Sequence, residues 1–148
     1  MSSSKPVKTV LVIDDNPTIV ELIKYAIHLR GPYHVVVAYD GIQGLERAYA
    51  DKPDCVIIDV KMPHMDGYQL VRSLRSDVRT KDTPVIILSA LTREEDQTAG
   101  LLVGADEYLT KPFKPNALNA ALERVLRQTS TDSQQNADGL AQTPADRD

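Results

Sequence analysis

Five residues of this chain combine types and positions that suit phosphoryl chemistry. Asp14 and Asp15 follow the apolar run TVLVI, and Asp59 follows CVII. Ser89 follows PVIIL, and Lys111 stands just past EYLT. An unpaired carboxylate at the end of an apolar run is costly, so it must be capped, paired or reactive. Singly, Asp, Ser and Asn after a strand are most often helix caps. As a set they exceed that need. Asn16 can cap the next helix alone, which leaves Asp14 and Asp15 surplus. Asp59 lies too far ahead of its own following helix to cap it.

Three neighbouring carboxylates push at least one pKa upward unless a cation offsets them. Mg²⁺ suits the set, because it binds one or two carboxylates, waters and phosphate oxygens. Lys111 could meet an anion, and Ser89 offers a hydroxyl. A hard cation, a lysine and a hydroxyl around a carboxylate form a phosphoryl-transfer site. Asp59 at its centre is then placed to act as a nucleophile and become an aspartyl-phosphate.

The elements that must position these groups are legible in the apolar pattern. Runs at 9–13, 34–38, 55–58 and 84–88 are continuous and rich in β-branched residues, with a weaker fifth run at 107–110. Continuous apolarity points to strands buried on both faces of a parallel sheet. Helical segments are expected at 17–30, 41–50, 67–76, 93–102 and 115–128. In the first, Ile19, Leu22, Ile23, Ala26 and Ile27 share a face. Asn16 and Pro17 open it and Gly31 closes it. Thr92 and Glu95 have the spacing of a capping box for the fourth. The order βαβαβαβαβα predicts an α/β domain with helices on both faces of the sheet. In such a sheet all strand ends that carry the polar groups lie along one edge, where ligands bind.

Length and composition set the bounds. The 148 residues are 42% hydrophobic with net charge −4, enough for one domain with a sizeable core. That balance argues against a general nucleic-acid binder. Cys55 is the single cysteine, so no internal disulfide can form and a cytoplasmic setting fits. It reads as a core residue. No secretory signal is visible at the N-terminus, and no apolar run has the length of a membrane helix. Residues 1–7 read as a flexible N-terminus and 8–128 as the domain. Residues 129–148 read as a disordered polar tail, too poor in apolar residues to offset ordering. That tail holds four Asp and one Arg.

The motifs VLVIDD, CVIIDVKMPHMDG, VIILSA and GADEYLTKPF, in this order and spacing, closely resemble the receiver domain of two-component response regulators. The resemblance spans residues 8 to about 128. It implies a flavodoxin-like, doubly wound, five-stranded parallel sheet of strand order 2-1-3-4-5. It also implies that Asp59 is the phosphoacceptor. Asp15 and Asp59 would bind Mg²⁺ directly, the backbone carbonyl of Lys61 would be a further ligand, and Asp14 would act mainly through a metal-bound water. Lys111 would pair with the phosphoryl oxygens, helped by a cis Lys111-Pro112 bond. Ser89 would hydrogen-bond to the phosphoryl group, and Tyr108 matches the switch aromatic behind it. Without the resemblance, Tyr108 reads as a half-buried strand residue with a solvated hydroxyl. His64 reads as loop surface, and His28 and His34 have no partner set for catalysis or metal.

By the same resemblance the chain is not an enzyme with its own substrate, beyond self-phosphorylation from a donor and slow self-dephosphorylation. Its expected partners are a histidine kinase or histidine phosphotransfer protein, and a downstream protein met by residues 92–128. A homodimer through that face is also open. No direct nucleic-acid or membrane contact is expected, since the polar segment after Gln128 cannot form an output module. A stand-alone receiver and a phosphorelay intermediate remain alternatives. A haloacid-dehalogenase-like phosphatase is disfavoured, because Asp14-Asp15-Asn16 lacks the D-x-D pattern. A flavin-mononucleotide binder is disfavoured by the charge of DDNPT.

Overall fold

The computed structural model describes the backbone of residues 7–138 and side chains to residue 128. Strands β1 (Lys8–Ile13), β2 (Tyr33–Ala38), β3 (Cys55–Ile58), β4 (Val85–Ser89) and β5 (Glu107–Thr110) alternate with five helices. These are α1 (Pro17–His28), α2 (Gly41–Asp51), α3 (Gly67–Arg75), α4 (Glu94–Leu102) and α5 (Pro115–Asp138). The strands form one parallel sheet in the order β2-β1-β3-β4-β5. This is the flavodoxin-like arrangement that the family resemblance implied.

The continuous apolar runs work because alternate residues serve opposite faces. Val10, Val12, Ile57 and Leu88 pack under α1 and α5. Leu11, Ile13, Ile58 and Ile87 pack against α2 and α3. All eight are almost fully buried. Burial of each such side chain contributes roughly 1.5–3 kcal/mol, so little but apolar character is tolerated until the strand ends. Cys55 is a free thiol in this core, and burial pushes its pKa far up. It is a packing residue.

Local signals set most helix starts. Asn16 accepts hydrogen bonds from the Thr18 and Ile19 amides, at 2.9 and 3.3 Å, and Pro17 opens α1. Asp66 and Gln69 form a reciprocal capping box at α3. Three expectations need correction. Leu22 is half-exposed, while Val20 is buried in its place on the core face of α1. The buried face is turned about the helix axis, away from Leu22 and towards Val20. The box expected from Thr92 and Glu95 does not form: the helix opens one residue later, with Arg93 at the cap position and no side-chain cap bond. The Arg93 guanidinium instead pairs with Asp96, at 3.2 Å. Helix α5 continues to Asp138, where the sequence reading began a disordered tail at residue 129. Residues 116–138 hold no Pro or Gly, and extending a formed helix is far easier than starting one. The calls on residues 1–6 and 139–148 lie outside the described residues. Among the described residues, no helix is long and apolar enough to cross a membrane.

Glycine at position 67 fixes how closely α3 approaches β3. Its amide donates to the Val60 carbonyl at 2.8 Å. A Cβ there would lie 2.5 Å from the Asp59 carbonyl oxygen and 2.8 Å from the Val60 Cα. Gly→Ala in a helix normally stabilises by about 1 kcal/mol. Here both obstructing atoms are backbone, so Gly67→Ala should lower the unfolding free energy by about 1–3 kcal/mol. Urea titration measures this, and a stabilised variant would refute the tight approach.

Candidate functional site

The carboxyl ends of β1, β3, β4 and β5 meet at one edge of the sheet. The Asp14 amide donates to Ala38 at 3.2 Å, and the Asp59 amide donates to Ile13 at 2.9 Å. The Lys111 amide donates to the Ser89 carbonyl at 2.8 Å. Ladder bonds thus carry on just past the strands and hold the backbone beneath each polar side chain.

Three carboxylates converge there. Oxygen atoms of Asp14, Asp15 and Asp59 all lie within 4.8 Å of one another. Asp14 and Asp59 are buried, at 1% and 8% exposure, whereas Asp15 faces solvent. The Lys111 ammonium lies 2.8 Å from Asp14 Oδ2 and 3.4 Å from Asp59 Oδ1. One cation therefore serves two buried anions. The second oxygen of Asp14 accepts from the Asn16 amide at 2.9 Å, so Asp14 also shapes the turn into α1.

Burial pushes the Asp59 carboxyl above the usual carboxylate range, and the Asp14 charge adds to the rise. Lys111 and the Val60 amide oppose it. Three carboxylates stand against one lysine, so local negative charge is left over. The donor set therefore fits a hard divalent cation: three carboxylates, one solvent-facing, with charge left to balance. Lys61 is exposed and lines an open depression with Asp15, Met62 and Leu91. Its loop position adjoins the cluster.

Ser89 is buried at the end of β4, and its Oγ accepts from the Leu91 amide at 3.0 Å. The Leu91 carbonyl in turn accepts from the Tyr108 hydroxyl at 2.9 Å. Tyr108 is half-buried on β5, and α4 lies directly over its ring. A Cβ on Gly100 would fall 2.8 Å from Tyr108 Cδ2. The Tyr108 hydroxyl is thus bound to backbone and is not free in solvent, contrary to the simplest reading of the sequence. The Lys111-Pro112 peptide is cis.

The structure brings together Asp14, Asp15, Asp59 and Lys111, with Ser89 on the adjoining strand end. It also exposes two participants that the sequence reading missed. Leu91 links Ser89 to Tyr108 through its two backbone groups, for which no side-chain signal exists. Tyr68, beside Gly67, reaches α4 with its hydroxyl. The expectation for the histidines is met in part by position: His64 is exposed in its loop with φ 73°, and His28 contacts the Tyr33 carbonyl at 3.2 Å.

Comparison with known proteins gives a consistent result. The response regulator receiver domain family matches residues 10–123. Response regulator MprA of Mycobacterium ulcerans is 37% identical over 93% of this chain and 58% of its own length. The alkaline phosphatase synthesis transcriptional regulatory protein PhoP of Bacillus subtilis is 38% identical over 82% of this chain and 50% of its own. The chain thus spans about half the length of these curated relatives. Among solved structures, the receiver domain of Francisella response regulator 1452 is 38% identical with a TM-score of 0.76, covering 82% of this chain and 98% of that one. Vibrio cholerae chemotaxis protein CheY4 is 35% identical with a TM-score of 0.75, covering 81% and 99%. With the fold, the strand-end cluster and the family match in agreement, this chain belongs to the receiver domains of two-component response regulators.

Proposed function

We propose that Asp59 accepts a phosphoryl group from a phosphohistidine on a histidine kinase or histidine phosphotransfer protein. The observation that carries this reading is the shared ion-pair cluster of Asp14, Asp59 and Lys111 at the sheet edge. An Asp59 carboxylate oxygen attacks phosphorus, the P–N bond to imidazole breaks, and the imidazole leaves with its electron pair. Mg²⁺, when bound, would supply positive charge that offsets the carboxylates and the phosphoryl group. Asp15 and Asp59 would hold it with the Lys61 backbone carbonyl, and Asp14 would act through a bound water. Lys111 exchanges an Asp14 oxygen for a phosphoryl oxygen, which adds electrostatic stabilisation where charge builds up. Water later removes the group from Asp59.

The switch follows from two hydrogen bonds. The Ser89 hydroxyl can turn to a phosphoryl oxygen and donate its proton there. That move loosens its contact with the Leu91 amide, and the same residue's carbonyl holds Tyr108. New charge at Asp59 thus biases the 92–128 face between two arrangements. A downstream protein partner reads that face in the cytoplasm.

Intact mass after incubation with acetyl phosphate, with and without Mg²⁺, tests the acceptor. We expect a gain of one phosphoryl group that needs Mg²⁺ and is lost in Asp59→Asn. Absence of that gain both with acetyl phosphate and with phosphohistidine donors would overturn the reading. Lys111→Met should slow acceptance by about 10²-fold, judged from the worth of one pre-placed donor. An unchanged rate would remove Lys111 from the reaction.

The raised pKa of Asp59 also has a stability consequence, with its sign fixed by linkage. The native carboxyl keeps its proton at pH values where the unfolded chain has released it. Stability therefore falls as pH rises from the unfolded value through the native one, and the charge remains a penalty at pH 7. In EDTA, Asp59→Asn should raise the urea midpoint at pH 7 and flatten its decline across that window. Adding Mg²⁺ should stabilise the wild type more than the variant. A lower midpoint for the variant in EDTA would contradict the sign.

A further inference from the structure

Tyr68 is the second residue of α3, and its two ends have different anchors. Its base follows Gly67, whose amide bonds to Val60 and whose Cα packs against the Asp59 carbonyl. That end moves only if the segment bearing Asp59 moves. Its hydroxyl donates to the Asp96 carbonyl in the first turn of α4, at 2.9 Å. The ring packs in the same cluster as Leu91 and Tyr108. Burial pushes the Tyr68 phenol far up, and the neighbouring Tyr108 phenol adds to the rise. Tyr68 is therefore a neutral donor at physiological pH.

These contacts complete a chain from the site to the helix. Ser89 holds the Leu91 amide, Tyr108 holds the Leu91 carbonyl, and Tyr68, packed in the same cluster as Tyr108, bonds to the first turn of α4. Besides this contact, the start of helix α4 has the Arg93–Asp96 pair and a Gln97 side-chain bond to the Thr92 carbonyl. It lacks a side-chain cap bond, and Gly100 is its single buried residue. The Tyr68 hydroxyl contact is thus a specific tether on an element with a thin apolar footing.

We propose that Tyr68 is a positioning residue of the switch, its hydroxyl fastening the first turn of α4 to the segment that carries Asp59. The part of this proposal that concerns signalling rests on Asp59 being the phosphoryl acceptor. Without the hydroxyl, Ser89 and Tyr108 still respond to the phosphoryl group, but α4 no longer follows.

The test compares the full chain with Tyr68→Phe, which keeps the ring and removes one donor. Amide hydrogen exchange is followed with and without acetyl phosphate and Mg²⁺, and intact mass is read on the same samples. In the unphosphorylated proteins, amides of residues 97–101 should exchange about fivefold faster in the variant, the effect of losing one modest hydrogen bond. Exchange in α1 should not change. With donor present, both proteins should gain the phosphoryl group to the same extent. The change in α4 exchange that phosphorylation produces in the wild type should fall to less than half in the variant. Equal α4 exchange in the resting proteins, or an undiminished response in the phosphorylated variant, would overturn the proposal. A wild type that gains no phosphoryl mass would instead overturn the acceptor reading, and the resting comparison would still decide whether the tether exists.

Discussion

One ammonium group between two buried carboxylates is the interaction on which the site depends. Asp14 and Asp59 are removed from water at the ends of adjacent strands, and the Asp14 charge opposes ionisation of Asp59. Lys111 reaches both across the end of the sheet. It lowers the electrostatic penalty without removing it, since the Asp59 carboxyl remains raised. The result is an under-neutralised anionic cluster beside a solvent-facing third carboxylate. Such a cluster gains by taking up a cation, and a lysine already in place can then turn to a new anion. Stability is given up locally so that the site can accept charge from outside.

The sheet makes this arrangement possible through order as much as through composition. Strands β1 and β3 are neighbours, so Asp14 and Asp59 emerge side by side. Strand β5 is two positions beyond β3, and Lys111 is long enough to return across β4. The amide of Lys111 bonds to the Ser89 carbonyl, which sets the stem of the lysine relative to the hydroxyl of that serine. Apolar burial on both faces holds these ends in register. Close packing also means that a small change at one end shifts neighbours as units.

The contacts that lead away from the site run through backbone groups. Leu91 offers its amide to Ser89 and its carbonyl to Tyr108, so the two side chains share one peptide segment. Gly100 lets α4 lie against the Tyr108 ring, and Gly67 lets α3 lie against Asp59. The missing side chains at these two glycines let Tyr68 on α3 reach α4. The proposed acceptor and the proposed switch residues are thus adjacent: both hang on the ends of β3, β4 and β5.

Much of this was legible from residue order. Continuous β-branched runs, each ended by a polar group, specified buried parallel strands and one chemical edge, because a parallel sheet puts all its carboxyl ends together. Asn16 and Pro17 marked the start of α1 because capping is a local matter of a few residues. Other features had no local signature. The face of α1 that meets the core, and so the exchange of Leu22 for Val20, depends on how the helix is rolled on the sheet. The start of α4 turned on an Arg93–Asp96 pair that competed with the expected Thr92 cap. The sharing of Lys111 between Asp14 and Asp59 joins residues almost a hundred positions apart. The Leu91 relay uses main-chain atoms, which every residue carries, and the Tyr68 tether ends on a carbonyl. Residue types and spacing could determine which groups stand at the sheet edge. Which of them touch, and through which peptide, was set by packing, because contact depends on distances that close only when the layers are assembled.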